Sequence, residues 1–297
     1  MSALKQYLIT TTLATLASSV FAQNYLDVIK LDHTEGLTQY SDSAHEPTAF
    51  NESTADITLP IVISEKTAIV TGTWLEHSHF QIADQNPRDL YSTLLKIGLN
   101  HKIDSHWSAT LVLLPKLSSD LKVVDKNQFQ LGALALMKYE VNPSLSYKFG
   151  AYINNDLYGP MLVPIVGLYF NKGPWEVNAA LPITADASYG ITKSVRVGAK
   201  FLGTNKSVRL NDGSDTYIHR INNELSTYLS YRLGNIVVLA HGGYSAGRSF
   251  DSYQNGDKMN LAVSALRIGD KRQATSGSFG DGAFVKLALH YRINLDK

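Results

Sequence analysis

The sequence predicts an all-β protein: a transmembrane antiparallel β-barrel of about 12–14 strands, preceded by a cleaved signal peptide. Three observations predict it. From about Thr54 onward, apolar and polar residues alternate with a period of two, as strands with one apolar and one polar face require. The alternating runs are mostly about ten residues or longer, whereas globular strands run about 5–6 residues and tilted membrane strands about 9–11. After the N-terminal segment, no stretch approaches the ~18 consecutive apolar residues that would suggest a spanning helix. The densest, Leu131 to Met137, is short and interrupted by Gly132.

The N-terminus is read first. Lys5 precedes a mostly apolar stretch from Tyr7 to Val20, and Val20-Phe21-Ala22 stands before Gln23. A basic start, an apolar region of roughly 13 residues and a small-x-Ala site describe a secretory signal peptide, residues 1–22. As a membrane anchor the stretch falls short of the ~20 apolar residues needed. No cysteine lies near the cleavage site, which excludes a lipid-anchored lipoprotein. Residues 23–53 are read as a leader with room for a first strand, and 54–297 as the barrel, with no second domain or linker. Cleavage removes one of 27 basic residues, Lys5, and leaves 26 of each sign. That balance gives no reason to expect nucleic acid as a partner. The chain has no cysteine, so disulfides and thiol chemistry are excluded. It shows no phosphate-cradling glycine loop, zinc spacing or nucleotide motif, so no cofactor is expected.

The strands follow in order. Tyr91, Thr93, Leu95, Ile97 and Leu99 form one face, with Ser92, Lys96, Gly98 and Asn100 between them. Trp107, Ala109, Leu111 and Leu113 follow, then Phe129 to Tyr139, and then Leu145, Tyr147, Phe149, Ala151 and Ile153. The pattern returns in Trp175–Ile183, Val195–Phe201, Leu225–Leu233, Ile236–Ala240 and Ala283–Ile293. Tight turns fall at Glu65-Lys66, Asp104-Ser105, Asn142-Pro143, Lys172-Gly173, Thr192-Lys193 and Gly234-Asn235. Longer polar connections fall near 79–89, 118–127, 205–215 and 249–280. Short turns on one side and long loops on the other are the habit of outer-membrane barrels. Trp107, Tyr139, Tyr147, Phe170, Trp175, Tyr189 and Tyr231 lie close to the tight turns, as an interfacial girdle would.

Twelve strands follow from the strong runs. Fourteen follow if residues 25–34 add a strand and 175–191 fold back near Ala185. Residues 35–53 and 249–280 read as loops. Alternation alone also suits a half-buried soluble sheet with its charged register in water; strand length and the placement of aromatics favour the membrane.

The segment Gly150-Ala-Tyr-Ile-Asn-Asn-Asp-Leu-Tyr-Gly-Pro-Met-Leu-Val-Pro164, followed by Gly167, resembles the central signature of a family of Gram-negative bacterial outer-membrane β-barrel proteins grouped as a domain of unknown function. Leu181-Pro182-Ile183 before Ser188-Tyr189, Gly242-Gly243-Tyr244, and Asp281-Gly282 leading to His290-Tyr291-Arg292 extend the likeness over roughly residues 54 to 295. The resemblance implies a barrel in the bacterial outer membrane and carries over no catalytic residue. Leu295-Asp296-Lys297 stands where such barrels commonly carry a final aromatic.

With the apolar faces toward lipid, the intervening residues line the lumen. The inward register then holds Lys96, Lys116, Lys138, Lys148, Arg196, Lys200, Arg220, Arg232, Lys286 and Arg292 against Glu76, Glu140, Glu176 and Glu224. A basic lining concentrates anions, so the expected function is a passive pore or small-solute channel, weakly anion-preferring. The alternative for these charges is to pair across strands and fill a closed lumen, which Leu94, Leu134 and Leu136 on the same face would assist. In the motif Asn154, Asn155, Asp156, Gly159, Pro160 and Pro164, proline is poorly tolerated within a strand. The motif is a tight turn with an irregular strand entry, or a rigid outer loop folding toward the pore.

Two further functions compete: a structural or adhesive barrel with partner-binding loops at 35–53 and 249–280, and a lipid-acting enzyme. For the enzyme, His106 and Ser108 share a strand face but lack an assignable third member. His77-Ser78-His79 and the scattered His219, His241 and His290 are the remaining candidates. No enzymatic activity and no metal site are expected. The expected partners are membrane lipid and lipopolysaccharide, the barrel assembly machinery and a small anionic solute, with the chain acting as a monomer.

Overall fold

The computed structural model describes residues 25–38, 48–80, 88–122, 128–211, 213, 215–275 and 280–294; the expected signal peptide lies outside them. The strands are β1 (Tyr25–Thr38), β2 (Thr48–Ser64), β3 (Thr67–Phe80), β4 (Arg88–Lys102), β5 (Trp107–Ser119), β6 (Phe129–Asn142), β7 (Leu145–Asp156) and β8 (Gly159–Lys172). They continue with β9 (Trp175–Leu181), β10 (Thr184–Gly190), β11 (Val195–Arg209), β12 (Thr216–Leu233), β13 (Ile236–Gln254), β14 (Leu261–Val263), β15 (Leu266–Ile268) and β16 (Gly282–Asn294). β1 to β13 pair in sequence order, β13 pairs with β16, and β16 returns to β1, giving a closed antiparallel barrel of 14 strands. β14 and β15 form a small hairpin outside that ring.

The count is therefore fourteen. The extra strands are β1 and the divided pair β9–β10, which turns at Pro182-Ile183 rather than near Ala185. Within the stretches read as loops, β1 runs to Thr38, β2 begins at Thr48 and β13 runs to Gln254. The alternation fades there because outward positions become polar: His33 pairs with Ser53, and Ser53 with His77, across β1, β2 and β3.

The faces are those of a membrane barrel. Leu95, Ile97 and Leu99 on β4 are 47%, 54% and 45% exposed, while Ser92 and Asn100 on the opposite face are 5% and 2% exposed. Apolar side chains point out and polar ones in, the reverse of a soluble sheet. A closed, even-stranded ring pairs its strands without a free edge over most of its height, which is what the hydrocarbon layer demands. These are the features of outer-membrane barrels. Trp107 packs on Tyr139 (4.8 Å) and Trp175 on Tyr189 (5.0 Å) beside the tight turns. Tyr147 pairs with Tyr139, and Tyr231 with Val195, at the same end. Asp104 closes the β4–β5 turn by accepting the backbone N–H groups of His106 and Trp107 (2.7 and 2.8 Å), which holds its carboxyl below the usual range.

Two local devices shape the wall. On inward positions, Gly72 and Gly167 allow close strand approach: a Cβ would lie 2.1 Å from the Ile57 carbonyl oxygen and 2.0 Å from that of Ala179. Pro115 interrupts the β4–β5 ladder, whose pairing passes from Leu94↔Lys116 to Ile97↔Leu113 without partners between.

The largest departure from a regular cylinder comes from the short β9–β10 hairpin. β8 pairs with β9 only over Val166–Lys172, and β11 with β10 only over Arg196–Leu202. The outer halves of β8 and β11 therefore lack their ring neighbours. Along β8, Asn171 donates to Ser144 of the β6–β7 turn, and Leu162 accepts from Ser264 on the opposite side. Even-numbered residues thus turn their backbone groups away from β7. Pro160 and Pro164, which have no N–H, occupy two of these positions, as proline at a strand edge should. β14 covers part of this edge in parallel, through Ala262↔Met161 and Val263↔Leu162. β11 instead bends inward, and Arg209 pairs with Ser119 of β5 across the barrel.

Leu111 faces outward (57% exposed) several residues from the Trp107 girdle. Leu111→Arg is expected to destabilise the barrel by about 2–4 kcal/mol, the cost of a cation deep in the apolar layer. Urea unfolding in lipid vesicles, followed by heat-modifiable gel migration, checks this.

Candidate functional site: the inward face

Alternation places Lys96, Lys116, Lys138, Lys148, Glu176, Arg196, Lys200, Arg220, Glu224, Arg232, Lys286 and Arg292 on the inward register. At the outer end these side chains meet across the lumen. Lys206 of β11 contacts Glu76 of β3 and lies 3.6 Å from Glu52 of β2. Arg220 of β12 contacts Glu52, lies 3.7 Å from Glu76, and donates to Ser78 at 3.2 Å. Phe50 and Phe250 flank the Arg220 guanidinium at 4.9 and 4.8 Å. The same rings belong to a buried cluster with Phe80, Leu90, Val208, Leu210 and Ile218. Two cations and two carboxylates, capped by an apolar layer, thus tie β2 and β3 to the inward-leaning ends of β11 and β12.

A second tie rests on the motif. β7 and β8 join through Leu157-Tyr158, with Gly159 at φ 121°, a conformation that favours glycine. The motif is therefore a tight turn rather than a long loop over the pore. Asn154 and Asp156 point inward and are buried, while Asn155, Pro160 and Pro164 point out. Asp156 accepts from Lys116 (3.0 Å), Asn154 (2.8 Å) and Ser207 of β11. The Ser207 hydroxyl also accepts the Leu157 N–H, and its backbone oxygen accepts from Gln130. Glycine at 159 makes the turn, and the turn aims Asp156 at β11.

Lower in the lumen, Asp56 bridges Lys30 and Lys96, and Lys286 meets Glu224 at 2.6 Å. His290 lies between Asp27 (3.4 Å) and Asp32 (3.7 Å). Toward the tight turns Arg292 grips Asp27 with two hydrogen bonds, 2.6 and 2.9 Å, and Arg196 lies 3.6 Å from Glu176. Lys138 meets Glu140 at 3.4 Å. Inward cations with no carboxylate within ion-pair distance among the described residues include Lys148, which donates to Asn178, Arg232, which donates to Gly234 and Asn294, Arg248, which donates to Asn222 and Ser245, and Lys200. One inward carboxylate, Asp186, is likewise outside any ion pair and accepts from the Tyr228 hydroxyl at 2.7 Å.

The inward carboxylates Asp27, Asp32, Glu52, Asp56 and Asp186 were absent from the sequence-based lining. A signal for two of them existed: Asp56 sits between Thr54 and Thr58 on the even register, and Glu52 extends it backward, with Ile57, Leu59 and Ile61 on the odd one. Among the described residues the histidines gather into no site. His106 bonds Ser105 in its turn, whereas Ser108 is buried on the inward face and is not bonded to it. His77 and His79 face outward and share Asp89 (2.8 and 2.9 Å), while Ser78 faces in. His219 stacks on Tyr158, and His241 lies beside Ser226. Among the described residues no three His, Asp or Glu side chains are placed to hold a metal ion.

Residues 54–263 match the DUF6268 family, a domain of unknown function. The chain belongs to that family. No curated protein matches the sequence. Among solved structures, the DUF6268 chain is similar to the translocator domain of the autotransporter NalP from Neisseria meningitidis, with 9% identity, TM-score 0.39, and 98% and 97% of the two chains covered. It is similar to the Pseudomonas putida toluene transporter TodX, with 12% identity, TM-score 0.38, and 94% and 92% covered. The NanC porin has 9% identity and TM-score 0.38, with 89% of this chain and 100% of the porin covered. Such values carry neither mechanism nor substrate from those proteins to the DUF6268 barrel.

The outer node gives a quantitative expectation for the DUF6268 chain. Glu52→Ala leaves Arg220 buried with its nearer partner gone, and breaking a buried pair in this way costs about 3–5 kcal/mol. A double-mutant cycle with Arg220→Ala, followed by urea unfolding, is expected to return a coupling energy of about 0.5–3 kcal/mol.

Proposed function

We propose that this barrel is a passive outer-membrane channel for small solutes, with a weak preference for anions. The observation that carries the reading is the imbalance on the inward face. Lys148, Lys200, Arg232 and Arg248 stand outside ion pairs, against Asp186 alone among the inward carboxylates described. A confined lining with surplus positive charge raises the local concentration of anions, because field lines are focused by the low-dielectric wall. The remaining charges pair across the lumen and narrow it. The passage therefore suits small solutes, with its constriction at Glu52, Glu76, Lys206 and Arg220.

A second reading is favoured by the same node: a closed structural or adhesive barrel whose outer loops meet partners. Buried ion pairs under the Phe50–Phe80–Phe250 layer would then be a permanent seal.

Planar-bilayer conductance separates them. In a KCl gradient the purified protein is expected to give small, discrete currents with a reversal potential on the anion-preferring side. Lys148→Glu combined with Lys200→Glu is expected to move the reversal potential toward cation preference. Cation preference in the unaltered protein would refute the anion reading. Silence in the unaltered protein, with current appearing only in Glu76→Ala/Lys206→Ala, would favour the sealed barrel.

A further inference from the structure

The outer part of the wall between β8 and β11 is a seam filled by a loop, not by strands of the ring. β9 and β10 stop at Leu181 and Thr184. Above them the space between β8 and β12 is packed by Tyr158, Met161, Tyr217, Tyr253 and Met259, with Tyr152 and Ile183 against the cluster. Met259 and Ala262 come from the long β13–β16 connection.

We propose that this seam is a side passage, through which small uncharged apolar solutes exchange between the lumen and the outer leaflet, with the β14–β15 hairpin as its door. This route is separate from the axial passage. The β8 edge facing the seam carries Pro160, beside the stretch that β14 covers, and Pro164 beyond it, and neither leaves an orphan donor there. The door is attached to the wall over a short stretch: two residue pairs join β14 to β8, with the Met259 N–H donating to Tyr158 beside them, whereas the β7–β8 ladder runs from Leu145 to Asp156. β15 exposes Leu266 and Ile268, at 68% and 50%, with Arg267 between them 3.8 Å from Asp270.

One side chain latches the door. Arg272 holds Asp270 with two hydrogen bonds of 2.8 Å, donates to the Tyr217 hydroxyl at 3.1 Å, and lies 4.3 Å from the Tyr253 ring. The lining suits the proposed solute. Tyrosine faces stack against flat apolar molecules, and the thioethers of Met161 and Met259 adapt to their shape.

The chain has no cysteine, so an engineered pair reports without interference. Leu162→Cys with Val263→Cys, which are register partners, would tie the door to β8 under oxidation and free it under reduction. The full-length protein is produced in a Gram-negative host, and uptake of the apolar dye N-phenyl-1-naphthylamine by intact cells is followed by fluorescence. Axial conductance of the same purified variants is measured in planar bilayers. The expected result is dye uptake that falls on oxidation to the level of cells lacking the protein, recovers on reduction, and rises several-fold in Arg272→Ala, with conductance unchanged by the cross-link. Dye uptake indifferent to a completed cross-link would overturn the proposal, whatever Arg272→Ala does. So would uptake and conductance lost together, which would make the hairpin a gate on the axial route. Because oxidised and reduced forms are one protein, a folding defect cannot imitate the expected result.

Discussion

Backbone hydrogen-bond satisfaction at the outer ends of β8 and β11 is the constraint on which the rest of this structure depends. In water, a strand that outruns its neighbour can bond to solvent. In a membrane wall each unpaired N–H or carbonyl costs several kcal/mol unless protein supplies a partner. The early turn at Pro182-Ile183 creates two such edges, and the chain satisfies them differently. β8 spends prolines on its edge and borrows β14; β11 leaves the cylinder and finds Ser119 and Gln130 on the far side. The inward lean of β11 brings Lys206 and Ser207 to Glu76 and Asp156. The cross-lumen ion pairs are thus a consequence of where one hairpin ends.

The same lean explains why so polar a lumen holds together. Buried ion pairs repay their desolvation only when geometry and further hydrogen bonds are good. Here Arg220 is flanked by two phenylalanine rings and bonded to Ser78, and Asp156 accepts from three side chains. These contacts arise between strands far apart around the ring, and so they brace the cylinder as spokes do, in a direction the ladders cannot.

What could be read from the sequence divides along a physical line. Membrane-facing alternation is local and strong, so the runs around Ile97, Leu111, Phe149 and Leu287 announced strands and their outward faces directly. The tight turns, through Glu65-Lys66, Asp104-Ser105 and Gly234-Asn235, fixed which ends share a side. Where strands rise beyond the apolar layer both faces turn polar, and the ends of β1, β2 and β13 looked like loop. The inward charges could be placed by parity, but their partners could not: nothing in a period of two says that β11 will leave the wall. The count of ten cations and four carboxylates was incomplete for that reason: Asp27, Lys30 and Asp32 precede Thr54, and Lys206 lies in a stretch read as a loop.

The pairing of the first strand with the last has its own consequence for assembly. Asp27 and Arg292 are bonded across 265 residues of chain, and Ile29 stands opposite Tyr291. Until β16 arrives, β1 and β13 both present bare edges, each a template for adhesion to another chain. Closing so large a loop adds little entropy cost beyond that of a moderate one, but it puts the decisive contact at the end of the folding reaction rather than its beginning. A nascent barrel of this kind is therefore most vulnerable when nearly complete, and loss of its final dozen residues would strand an almost whole molecule as a sticky open sheet.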